Sequence, residues 1–304
     1  MVSYTTESIR NIALVGHGAA GKTTLVETLL HHAGKLPTPG AVEKGNTVCD
    51  FDPQEKAHQH SLDSALVNFD YDGAHINLID TPGFPDFLGQ AIAVLPAVET
   101  AAVVINAQTG IEAVTQRMME RAGERQQCRM IIVNKIDTEN IDFPGLLDQI
   151  QDAFGKECLP INLPASGATR VSDCFFNSTG DSDFSSVAAA HSTLIDQVVE
   201  VDEDLMALYL EQGEDLQPEQ LHAPFEKAMR EGHLVPICFV SARTGAGIKE
   251  LLDAFVKLLP NPTEGNSEPL LKGEAATETS HSIPDPQQHA VAHVFKVLID
   301  PSIG

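Results

Sequence analysis

The octapeptide Gly16-His17-Gly18-Ala19-Ala20-Gly21-Lys22-Thr23 constrains this chain more than any other stretch. It follows an apolar run, Ile9 to Gly16 (IRNIALVG), that reads as a buried strand. It precedes a helical periodicity from Lys22 to Ala33, which Gly34 closes. A glycine-rich loop between strand and helix turns successive backbone N–H groups inward at the positive end of the helix, forming a cradle for phosphate oxygens. His17, Gly18, Ala19, Ala20 and Gly21 supply the wrapping backbone. Lys22 is placed to reach β- and γ-phosphates, the Thr23 hydroxyl to bind Mg²⁺, and the Thr24 amide to meet the α-phosphate. This loop alone fits ATP and GTP equally.

Two further loops separate the purines. Residues 65–71 and 74–80 read as strands joined by Asp72-Gly73, a hairpin signal. The second strand ends in Asp80-Thr81-Pro82-Gly83, where Asp80 can hold Mg²⁺ through water and the Gly83 amide can sense the γ-phosphate. Later, MIIVNKID ends a strand in Asn134-Lys135-Ile136-Asp137. An Asp carboxylate there accepts hydrogen bonds from guanine N1–H and its exocyclic amine, whereas adenine leaves the acid unpaired. The aliphatic stem of Lys135 can lie over the base, and Asn134 can tie this loop to the phosphate loop. Ser241-Ala242-Arg243 follows the strand LVPICFV, which places the Ala242 amide near guanine O6. Together the loops predict GTP/GDP with Mg²⁺. An ATP-dependent enzyme is the more distant reading, because it makes NKID and SAR coincidental.

Between these loops the chain alternates: strand 101–107, helix 112–127, strand 129–133 and a helix near 146–154. That order predicts an α/β P-loop NTPase with a mostly parallel sheet, helices on both faces and one antiparallel hairpin strand. Residues 35–62 are polar, rich in Pro and Gly and lack periodicity; a loop that long inside a domain is usually functional. Asp137 and Ser241 stand 104 positions apart, where a helix and a strand need only about 30 to 40. The excess predicts an inserted subdomain over about 157–234, with two polar helices near 188–212 and 218–231. The α/β pattern resumes with strand 235–241 and helix 248–259. Residues 1–262 then form a GTP-binding domain, 263–289 a linker, and a last strand begins at 290.

Composition narrows the partners. Lys and Arg total 19 against 43 Asp and Glu, a formal charge of −24. This excludes a broad basic groove for DNA or RNA but leaves local RNA contacts open. The five cysteines are scattered and read as reduced, buried thiols. No leader and no apolar run of bilayer length is evident, so a cytoplasmic protein without membrane association is expected. His31, His32, His58 and His60 lack a completing ligand set and read as part of a solvated loop rather than a zinc site.

The order GHxxxGKT, a long first switch containing GNTVCDFDPQEK, then DTPG, NKxD and a large insert before SA resembles translational GTPases. The insert makes the chain similar to bacterial elongation factor G, and most of all to the elongation factor G-like branch. The resemblance implies Mg²⁺-dependent hydrolysis of GTP that drives a switch on the ribosome, with Lys22, Gly83 and position 84 at the catalytic centre. It also implies a monomer whose insert meets the ribosomal stalk. Residues 290–304 become the start of a β-barrel second domain, and the chain the N-terminal part of a longer protein.

Three departures from the family pattern matter. His58-Gln59-His60-Ser61 stands where relatives carry Arg-Gly-Ile-Thr, so Ser61 keeps a hydroxyl for Mg²⁺ but the glycine is lost. Phe84 follows DTPG where relatives have a histidine that positions the attacking water. Ala19 replaces a frequent Asp, which bears on a monovalent-cation site. Phe84 keeps a second reading open, a low-turnover GTP-binding regulatory module with nucleotide-dependent partners.

Overall fold

The computed structural model describes residues 4–212, 218–266, 270–272, 278–280, 287 and 292–297. Its elements begin with β1 (Ile9–Val15), α1 (Lys22–His32), α2 (Pro53–His58), β2 (Ala65–Tyr71) and β3 (Ala74–Asp80). Next come α3 (Leu88–Val94), β4 (Thr100–Asn106), α4 (Ala113–Glu124), β5 (Cys128–Asn134) and α5 (Phe143–Phe154). The remainder comprises β6 (Cys158–Pro160), β7 (Asn162–Ala165), β8 (Arg170–Asp173), α6 (Val187–Val199), α7 (Glu203–Gln212), α8 (Pro218–Arg230), β9 (Val235–Phe239), α9 (Ile248–Lys257), β10 (Leu270–Lys272) and β11 (Glu278–Ser280).

Seven strands form one sheet in the order β2-β3-β1-β4-β5-β9-β6. Only the β2–β3 pair is antiparallel, with Ala65 opposite Asp80 and Tyr71 opposite Ala74 across the Asp72-Gly73 turn. All other pairings in this sheet are parallel. Side chains alternate across a strand, so both faces must be apolar when helices cover both. Ile12, Leu14, Ala102, Val104, Met130 and Ile132 face one core, which includes Leu25 and Leu29 of α1 and Leu251 and Phe255 of α9. Ala13, Val15, Val103, Ile105, Ile131 and Val133 face the other, with Val94 of α3, Met118 of α4 and Ile150 of α5. The chain reverses direction of crossing at β1, whose neighbours are β3 on one side and β4 on the other. Crevices at such switch points, beyond the carboxyl ends of the strands, are where doubly wound sheets bind ligands.

Several expected elements differ. The loop over 35–62 carries a 3-10 turn at Val42–Lys44 and the helix α2. Asp52 caps α2 in a reciprocal capping box with Glu55, and Pro53 occupies the first turn. A helix too short for an amphipathic period leaves only this capping signature to announce it. The single helix expected near 188–212 is two, α6 and α7, because the Asp202 carboxylate accepts the Leu205 amide at 2.9 Å and starts a new helix there. The 157–234 excess is not wholly set apart from the sheet: its first strand, β6, pairs with β9. Within the expected linker, β10 and β11 pair antiparallel. Of the expected last strand, residues 292–297 have no regular structure and the rest lies outside the described residues.

Candidate functional site

The loops that end β1, β3, β5 and β9 converge on one cleft of about 1040 Å³. Gly18, Ala19, Gly21, Lys22, Thr23 and Thr24 line it, as do Ser61, Gly83, Phe84, Asn134, Lys135, Asp137, Ala242 and Arg243. The sequence motifs are thus brought together; His17, Ala20, Asp80 and Ser241 are not part of this lining, though Asp80 and Ser241 bond to the lining residues Thr23 and Asp137.

The phosphate loop leaves β1 at Gly16, whose φ of +130° and close approach to β4 both demand glycine. A Cβ at Gly16 would lie 2.4 Å from the Val104 carbonyl oxygen. Ala19 sits in the left-handed region at φ +60° without being glycine, a conformation that is held by its surroundings. The buried Lys22 folds back, its ammonium donating to the carbonyls of Gly16 and His17 at 2.9 Å each. Burial lowers its pKa to about 8, against the pull of Asp80 and Glu112. The His17 ring lies 3.4 Å from the Glu112 carboxylate.

Beside Lys22 stands a cluster of oxygen atoms. The Thr23 hydroxyl donates to Asp80 Oδ2 at 2.6 Å and lies 3.3 Å from the Ser61 hydroxyl. Ser61 in turn donates to Asp50 Oδ1 at 2.7 Å. Asp50 Oδ2 and Asp80 Oδ1 are buried and lack a hydrogen-bond partner. Burial raises the Asp80 pKa to about 7, partly opposed by the Thr23 hydroxyl and the Lys22 ammonium. Two orphaned carboxylate oxygens among hydroxyls form a hard, all-oxygen donor set that suits Mg²⁺. Asp50 was not anticipated; an acid inside an aperiodic loop carries no signal of its own until the fold brings it to Ser61.

Gly83 and Phe84 press directly on the phosphate loop. A Cβ on Gly83 would fall 2.4 Å from Lys22 Nζ and 2.6 Å from the Gly18 nitrogen. The Phe84 ring rests over Gly18, where a Cβ would meet its ζ carbon at 3.1 Å. Phe84 is 37% exposed, a large apolar ring turned into the cleft.

At the opposite end, Asn134 joins three loops. Its Nδ2 donates to the Ala20 carbonyl at 3.0 Å, and its Oδ1 accepts the amides of Lys135 at 2.8 Å and Ala242 at 3.0 Å. The Ala242 amide, expected to meet a base, is therefore already engaged. Lys135 reaches over the phosphate loop to the Ala19 carbonyl at 2.8 Å. Asp137 accepts from Ser241 Oγ and Arg243 Nε, each at 2.6 Å. Burial raises the Asp137 pKa, but these two donors outweigh it and leave the group below its ordinary value. Thr28 of α1 donates to the Ala242 carbonyl at 2.7 Å, so the helix that starts at the phosphate loop also supports the Ser241–Arg243 loop. The buried Glu27 accepts the amides of Gly40 at 2.7 Å and Val48 at 2.5 Å, pinning the long loop to the same helix. Neither Thr28 nor Glu27 was legible in advance, since each looks like an ordinary helix residue.

A doubly wound sheet with a GxxxxGKT loop at its switch point and an acid and hydroxyl cluster beside the loop's lysine defines a P-loop NTPase. The match to known families is specific. Residues 7–261 match the elongation factor Tu GTP-binding domain, and the chain belongs to that family. It is 33% identical over 309 residues to the "Elongation factor G-like protein" of Mycobacterium tuberculosis, covering 97% of this chain and 43% of that protein. It is 28% identical over 319 residues to elongation factor G of Thermotoga maritima, covering 98% and 46%. Against the mitochondrial ribosome-releasing factor 2 of Culex quinquefasciatus, identity is 30% over 285 residues, covering 86% and 38%. The crystal structure of ttk003000868 from Thermus thermophilus superposes with a TM-score of 0.76 at 32% identity, covering 85% of this chain and 41% of that one. The chain spans less than half the length of these curated relatives. No helix among the described residues is long and apolar enough to cross a membrane.

Proposed function

We propose that this chain is the GTP-binding portion of an elongation factor G-like translational GTPase that hydrolyses GTP to GDP and phosphate on the ribosome. The observation that carries the reading is the convergence of Lys22, the Thr23–Ser61–Asp50–Asp80 oxygens and the Asn134–Asp137 loop on one cleft. In this reading the phosphate loop binds the β- and γ-phosphates, and Lys22 leaves the Gly16 and His17 carbonyls for them. Asp137 leaves Arg243 to accept the guanine N1–H and amine. Thr23 and Ser61 would hold Mg²⁺, with Asp80 reaching it through water. The ion would neutralise charge on the transferring phosphoryl group. Loss of the γ-phosphate removes what the Gly83 amide and the Ser61 loop hold, so both segments relax; that relaxation is the switch.

The proposed organisation is a GTP-binding domain over 1–262 with an insert at about 157–234, a linker over 263–289 and the start of a β-barrel domain at 290–304. The insert is the proposed contact for a ribosomal stalk protein, and the protein is proposed to act in the cytoplasm as a monomer.

The deciding experiment measures GTP turnover by the full-length protein with and without ribosomes, alongside displacement of bound labelled GDP by GTP and by ATP. The expected result is ribosome-stimulated turnover and displacement by GTP alone. Displacement by ATP as readily as by GTP refutes guanine recognition; turnover that ribosomes leave unchanged refutes the translational role.

A further inference from the structure

Hydrolysis of a terminal phosphate needs a group that orients the attacking water by hydrogen bonding. Phe84, which adjoins Gly83 against the phosphate loop, has no such group. Its ring does, however, touch one that does. The His60 imidazole lies with its centroid 4.6 Å from that of Phe84, the planes inclined at 53°. It also lies 6.1 Å from the Phe87 ring and 5.8 Å from the His58 ring. His60 lines the same cleft as Lys22, Gly83 and Phe84, and it immediately precedes Ser61 of the oxygen cluster.

The ring's orientation is chemically specified. His60 Nδ1 lies 3.3 Å from the Ser61 carbonyl oxygen. A carbonyl only accepts, so Nδ1 carries a hydrogen and donates it; in the neutral ring the lone pair is then on Nε2. Aromatic contact with Phe84 and the backbone bond at Nδ1 together fix an imidazole acceptor beside the phosphate-binding segment. The ordinary alternative is a loop histidine that merely packs on a phenyl ring. It gives no reason for the ring to line the same cleft as Lys22 and Gly83, in contact with the apolar residue that follows Gly83.

Resting on the proposed GTP hydrolysis, we infer that His60 is the water-orienting catalytic residue and that Phe84 is the apolar wall that holds it in place. His60 Nε2 accepts a hydrogen bond from the attacking water. The water oxygen forms the new bond to the γ-phosphorus as the bond from that phosphorus to the bridging oxygen breaks. The bonding pair leaves on the β-phosphate of GDP, and the proton lost by water goes to the released phosphate. His60 ends as it began. The imidazole thus precedes the switch hydroxyl, where the family pattern has an aliphatic isoleucine, and an apolar ring follows DTPG, where the family pattern has the histidine.

The test is single-turnover hydrolysis of γ-labelled GTP by the full-length protein with ribosomes, for the parent, His60→Ala and His60→Gln, with GDP affinity measured on each. His60→Ala is expected to slow hydrolysis about 100-fold or more while GDP affinity stays within threefold of the parent. His60→Gln, whose amide can still accept from water, is expected to recover part of the rate. Hydrolysis by His60→Ala within threefold of the parent overturns the inference, as does His60→Gln no faster than His60→Ala, or a loss of GDP affinity as large as the loss of rate. A parent that hydrolyses no GTP overturns the functional reading as well, so the two failures are told apart.

Discussion

Asn134→Ala tests the architecture of the cleft directly, since this one side chain bonds to three loops and is 1% exposed. Truncation removes a donor from the Ala20 carbonyl and an acceptor from the Lys135 and Ala242 amides. Each buried polar group left unpaired costs about 1–3 kcal/mol. The cleft beside them is open, so water re-pairs some of these groups. A net destabilisation of about 2–4 kcal/mol follows. The same change cuts the Ala20 tie between the phosphate loop and the Lys135 loop and leaves only the Lys135–Ala19 bond, so GDP binding should weaken as well. Urea unfolding of the nucleotide-free chain, followed through its far-UV signal, reads the first effect. Repeating the titration with saturating GDP reads the second, because the ligand's contribution to stability shrinks with its affinity. A loss of under about 0.5 kcal/mol without nucleotide would refute the reasoning, for it would mean that the three loops hold their places without the amide.

Two other changes probe independent features. Glu99 is half-buried away from the cleft and its pKa is raised to about 7, loss of water around the carboxyl outweighing hydrogen bonds from Asn11 and the attraction of Arg10. Between about 4.5 and 7 the folded chain keeps a proton that the unfolded chain has shed, so this group makes stability fall as pH rises through that window and then level off. Its share is roughly 3 kcal/mol. Glu99→Gln should flatten that fall and raise the unfolding temperature at about pH 8; an unchanged pH profile would refute the assignment. Glu27→Ala should release the long loop from α1 without unfolding the domain. It is expected to speed proteolysis within residues 37–48 and to hasten GDP release several-fold, measured by limited digestion and by dissociation of a fluorescent GDP; digestion at the parent's rate would count against it.

What could be read from the sequence was whatever announces itself locally. A phosphate loop needs its strand, its glycines and its helix in one continuous stretch, and the NKID and DTPG motifs end apolar strands whose buried lengths are unmistakable. The parallel sheet followed from that alternation, and β2 and β3 from Asp72-Gly73. Illegible were the features that depend on chain-distant neighbours. Asp50 becomes part of the oxygen cluster only when the loop folds Ser61 onto Thr23. His60 was visible as a departure, but its contact with Phe84 brings together residues from two loops that no periodicity relates. Likewise β6, three residues long, has too little pattern to reveal that it joins the main sheet, and the split between α6 and α7 hides in the capping carboxylate of Asp202.

The pairing of β6 with β9 gives the insert a mechanical property that an appended lobe would lack. Cys158 to Pro160 run beside Val235 to Ile237, the Ile161 amide donates to the Ile237 carbonyl at 2.9 Å, and Asn162 exchanges hydrogen bonds with the Phe239 backbone at 2.7 and 3.2 Å. Two residues past Phe239 the same strand delivers Ser241, which donates to Asp137. A load applied to the proposed insert is therefore borne by the strand that leads into the Asp137–Ser241 contact at one end of the cleft. Traction on that distant surface would tug at the Asp137 end of the cleft through a taut backbone rather than through a chain of soft side-chain contacts.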